Sequence, residues 1–110
     1  TQFDIAAAAL IGGLTNSLTI ASGVGNPYFS VKFTGLGIDI GKHSIGHGGS
    51  FKDWSADELK VKIRKFHFQL IADLMKKLEA VPEGNGTMLD NTVIVYLSDA
   101  AEAHHSRCGQ

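Results

Sequence analysis

Residues 91–105 read NTVIVYLSDAAEAHH, and the fold expected of the chain turns on this stretch. Positions 92–97, TVIVYL, are apolar on both alternating sets, the pattern of a strand covered on both faces in a parallel sheet. Asp99 follows at once, and His104 and His105 come a few residues later. A buried strand that delivers an acid and imidazoles from its carboxyl end is how open α/β sheets build a site. The expectation is therefore an α/β fold with parallel strands and a site at the end of this one.

Working back from it, Pro82, Gly84 and the tetrapeptide EGNG at 83–86 supply a helix stop and a turn. Upstream, SADE at 55–58 offers an N-cap serine with Glu58 three residues on, the capping-box pattern. Leu59, Ile63, Phe66, Leu70, Leu74 and Leu78, with Ile71 and Met75 beside them, recur at three- and four-residue steps. That stripe predicts a long amphipathic helix, with Lys60, Lys62, Lys65, Lys76 and Lys77 mostly on its solvated face. Near the start, DIAAAALIGGL favours a helix over residues 3–11, ended by Gly12 and Gly13. SLTIAS at 17–22 has the β-branched character of a short strand. Residues 23–50 are rich in glycine and read as a long, site-forming loop, with room for a short strand near Tyr28 and Phe33. Strand, loop, helix, strand implies a right-handed crossover between two parallel strands.

A length of 110 residues, 44% hydrophobic and 19% charged, suits one domain with a modest core. The net charge of -1, with basic residues gathered in one stretch from Lys60 to Lys65, argues against nucleic acid as a partner. The apolar run from Ile5 to Leu14 is interrupted by two glycines and is too short for a bilayer, so no membrane span is expected. It also lacks the positive entry of a signal peptide, since TQFD carries an acid. The lack of an initiating Met and the abrupt ending HHSRCGQ suggest a processed chain or a piece of a longer one. The single Cys108 excludes an internal disulfide; beside Arg107 and two histidines it is either a thiolate or an incidental thiol.

The segments DIAAAALIGGLTNSLTIAS, HSIGHGG, IRKFHFQLIADLMKKLEAVPEGNGTMLDNTVIVYLSD and AEAHHSRCGQ, in this order, resemble bacterial exported proteins of uncharacterised function named for an HXXSHH motif. That family is distantly similar to the alkaline phosphatase and sulfatase superfamily. His43 and His47 fall on the motif's first and fifth positions, whereas Gly46 stands in place of its serine and Gly48 in place of its last histidine. The resemblance implies an alkaline phosphatase-like α/β sandwich, of which this chain is the carboxyl-terminal portion. It also implies an exported, periplasmic or extracellular location. Asp99, His104 and His105 would complete a metal site whose nucleophile lies outside these residues, so no nucleophile is assigned.

Taken by themselves, a carboxylate and neutral imidazoles suit zinc or another divalent metal, acting as a Lewis acid or activating water. The candidate metal ligands are Asp99, His104, His105, His43 and His47. Adjacent histidines point opposite ways in an extended segment, so His104 and His105 are either ligands or exposed loop residues. His43 and His47 are four apart, a spacing that puts both on one face of a helix, yet Gly46, Gly48 and Gly49 favour loop. His67, inside the long helix, reads as a packing or surface residue. NGT at 85–87 matches a glycosylation sequon and equally an ordinary turn. GLGIDIG lacks the strand-then-helix order of a dinucleotide-binding loop. Two functions follow: part of a metal-dependent hydrolase of small phosphate or sulfate esters, or a noncatalytic binding or structural module. A piece of a larger sheet would also expose strand edges open to self-association.

Overall fold

The computed structural model describes residues 1–22 and 30–97. Three helices dominate them: α1 (Gln2–Ile11), α2 (Lys42–Gly46) and α3 (Ala56–Glu79). The strands are β1 (Pro82–Glu83) and β2 (Gly86–Thr87), an antiparallel pair with Pro82 opposite Thr87 and Glu83 opposite Gly86. No helix among the described residues is long and apolar enough to cross a membrane.

This overturns the expected α/β sandwich. No parallel strands occur among the described residues, and neither 17–22 nor 92–97 lies in a strand. The apolar run 92–97 is solvent-facing, with Val93 87%, Val95 70% and Leu97 74% exposed. Apolar content expresses a demand for burial, but a parallel strand exists only where neighbours complete its ladder. None does so among the described residues, so the run lies outside any strand and exposed, and no crossover unit forms there.

The chain divides into two compact units, one of Thr1–Ser22 with Arg64–Val93 and the other of Gly23–Ile63 with Ile94–Gln110. In the first, the Thr1 hydroxyl accepts from the Asp4 amide and donates to its carboxylate, closing a capping box at the start of α1. Ala7 packs with Leu74 and Leu78 of α3, and Phe3, Leu10, Met88 and Leu89 border them. Lys77 pairs with Asp4. That ammonium first, then the Thr1 amine and hydroxyl, hold the Asp4 carboxyl well below the usual carboxylate range.

After α3 the chain turns at Val81, whose carbonyl accepts from the Met88 amide at 2.8 Å, and forms the β1–β2 hairpin. Gly84 takes the first turn position at φ 58°, where only glycine is unstrained. The Asp90 carboxylate then accepts from the Thr87 amide at 2.7 Å and the Thr87 hydroxyl at 2.9 Å. These bonds, the amide's first, hold the Asp90 carboxyl below its ordinary pKa.

In the second unit, Ile38, Ile45, Leu59 and Ile63 form the buried cluster, bordered by Phe33, Leu36, Ile40, Phe51, Trp54 and Ala56. A tight turn brings Phe33 and Ile38 into a bridge, and another brings Phe51 opposite Trp54. Lys52, inside that second turn, has φ 54° and lies over the Phe51 ring; Lys62 lies over Trp54 at 4.3 Å. The start of α3 conforms to the capping-box expectation. Glu58 accepts from the Ser55 amide at 2.8 Å and its hydroxyl at 2.9 Å, and the Ser55 hydroxyl accepts from the Glu58 amide.

Candidate metal centre

The sequence-expected ligands Asp99, His104 and His105 lie outside the described residues, as does Cys108. His43 and His47 are described, and they come together. The segment that carries them is not the loop that its glycines suggested but the single-turn helix α2.

Its glycines build the helix ends. Gly41 is the N-cap, in an extended conformation, and Gly48 follows the C-cap His47 with φ 88°. The Gly48 amide donates to the Ile45 carbonyl at 3.0 Å and the Gly49 amide to the Ser44 carbonyl at 2.8 Å. Those two bonds, from the two residues after the C-cap back into the last turn, are a Schellman motif, and its first residue needs a left-handed backbone. Gly48 is thus the stop of α2. Ile45 between the histidines is buried in the second unit's core and anchors the turn.

The four-residue step then places the imidazoles side by side, with ring centroids 4.8 Å apart and planes inclined at 59°. Zn–N bonds of about 2.0–2.1 Å at a tetrahedral angle set two imidazole centroids roughly 5 Å apart. The centroid spacing of the pair is close to that value. His43 is half-buried and His47 exposed, so the ring edges are reachable from solvent.

Sequence reasoning missed Ser30, whose hydroxyl accepts from the His43 amide at 2.8 Å and so fixes the first turn of α2 from a distant segment. A Cβ on Gly41 would come within 2.9 Å of that hydroxyl, so Gly41 is needed for Ser30 to reach. The only local signal was the helical spacing itself, outweighed by the glycine count. Among the described residues, no group of three or more His, Cys, Asp or Glu side chains gathers as a complete ligand set.

His67 is a packing residue. It is 9% exposed in α3, and its Nε2 lies 3.0 Å from the Ser22 hydroxyl. Phe66, expected on the buried stripe, sits beside it on the outer edge. No family model matches the chain, and neither the curated proteins nor the solved structures offer a match.

Proposed function

We propose that this chain contributes ligands to a divalent-metal centre, such as zinc, in a hydrolase of small phosphate or sulfate esters. The observation that carries the reading is the His43–His47 pair, two imidazoles whose centroids lie 4.8 Å apart, close to the spacing of two rings on one cation. The resemblance to the exported HXXSHH-motif proteins supports the reaction class and an exported location. A bound divalent ion there would polarise an ester oxygen and acidify a water molecule. The chain's own part is to hold two imidazoles in register, through the Ser30 tie at one end of α2 and the glycine stop at the other. Asp99, His104 and His105 are the residues we assign as the complementing ligands.

Calorimetric titration of the chain with zinc tests the centre. Either His43→Ala or His47→Ala should weaken binding by about tenfold or more, since two ligands acting as a chelate lose most of their advantage together. Unchanged zinc affinity in the double variant would overturn the reading. Turnover of aryl phosphate and aryl sulfate esters by the intact protein tests the chemistry, and it should be lost in Asp99→Ala. Zinc binding without any such turnover would favour the noncatalytic module, a reading that Gly46 and Gly48, in place of the motif's serine and histidine, also support.

A further inference from the structure

The hairpin that follows α3 carries Asn85–Gly86 at its tip, and we propose that this dipeptide is a site of spontaneous covalent modification, where Asn85 deamidates through a cyclic imide. In that reaction the Gly86 amide nitrogen, after giving its proton to solvent base, attacks the Asn85 side-chain Cγ. The new N–Cγ bond closes a five-membered ring as the Cγ–Nδ2 bond breaks and ammonia leaves. Water then opens the imide at either carbonyl, leaving aspartate or isoaspartate. Only water is consumed, because the base is regenerated when the leaving amide takes up a proton to depart as ammonia.

Three features favour it here. Asn85 is exposed in a two-residue turn, so its carboxamide is open to solvent. The attacking nitrogen belongs to a glycine, which brings no Cβ against the forming ring; the structure has no space for one, since it would meet the Asp90 carboxylate at 2.5 Å. The ladder that holds Gly86 is also as short as a ladder can be. Val81 and Met88 are joined by the Met88 amide, Pro82 and Thr87 are the non-hydrogen-bonded pair, with the Thr87 amide turned to Asp90, and only the Glu83–Gly86 pair remains before the turn. Opening that last pair frees the nucleophile, and local fraying of this kind lies at the low end of the stability scale.

The product has a structural effect. Isoaspartate adds one methylene to the main chain of a turn whose register is set by two residues, and either product adds a negative charge between Glu83 and Asp90. Asn91, whose Nδ2 donates to Glu83 at 2.8 Å, would be drawn into the rearrangement.

The test is peptide mapping after incubation of the purified chain in mildly alkaline buffer, beside the same chain in denaturant. The expected result is a gain of about one dalton on the peptide holding Asn85, faster at higher pH, and within about tenfold of the denatured rate because fraying is cheap. It should be absent in Asn85→Gln, whose longer side chain closes the ring poorly. Asp90→Asn, which loosens the tie to Thr87, should bring the native rate closer to the denatured one. Protection of Asn85 by much more than tenfold, or a gain that maps to Asn16 or Asn91 instead, would overturn the proposal.

Discussion

Gly48 shows how one residue can be ambiguous in sequence and unambiguous in structure. At φ 88° it completes the Schellman bonds of α2, and a Cβ there meets no neighbouring atom, so the penalty of substitution is conformational and not steric. Gly48→Ala should cost about 1–2 kcal/mol, read from chemical denaturation. The same change should also weaken zinc binding, by loosening the turn that sets the imidazole spacing. Asp4 makes a second case at this scale. Its folded-state pKa is depressed, chiefly by Lys77, so the pairing stabilises the fold above the ordinary carboxylate range and is lost as acid titrates the folded carboxyl. A Lys77→Met variant should therefore be less stable than the parent at neutral pH, and the gap should close as the pH falls below that range. A gap that persists into strong acid would mean that the contribution of Lys77 is packing alone.

At the scale of elements, legibility followed length. The 24-residue α3 repeats its apolar positions often enough to be seen, and its start is marked by groups that bond as expected. Ser55→Ala should cost about 1 kcal/mol, measured by thermal unfolding. Leu78→Ala, in a fully buried position, should cost about 2–5 kcal/mol. Only the stripe's edge was misplaced: the true buried line runs through His67, because a ring that bonds Ser22 satisfies its polar atom there and Phe66 has no such need. By contrast, α2 has five residues, too few to show a period, and its capping glycines resembled loop composition. The helix expected over 3–11 was visible because alanine-rich sequence and a glycine pair agree with each other.

At the scale of the whole molecule, what failed was the step from an apolar run to a sheet. TVIVYL states that residues 92–97 prefer to leave water, and it says nothing of which strands would receive them; that information is nonlocal. The four-residue step of His43 and His47 carried the helical spacing that brings them together, but the glycines around it read as loop; Asp99, His104 and His105 fall outside the described residues. Uncharged and free of proline and glycine, the exposed run has the composition of a self-pairing segment. The chain should form concentration-dependent oligomers in light scattering, and Val95→Lys should shift it toward monomer without lowering its helix content. Equal masses for the two chains across concentration would show that the run does not associate.

The turn between Phe51 and Trp54 has a different consequence. Lysine is poorly suited to the left-handed backbone that Lys52 occupies, and asparagine tolerates it more readily, without the looseness of glycine. Lys52→Asn should raise the melting temperature by relieving up to about 1 kcal/mol, less whatever the ammonium gains over Phe51. The protein thus stands one substitution short of a tougher version of itself.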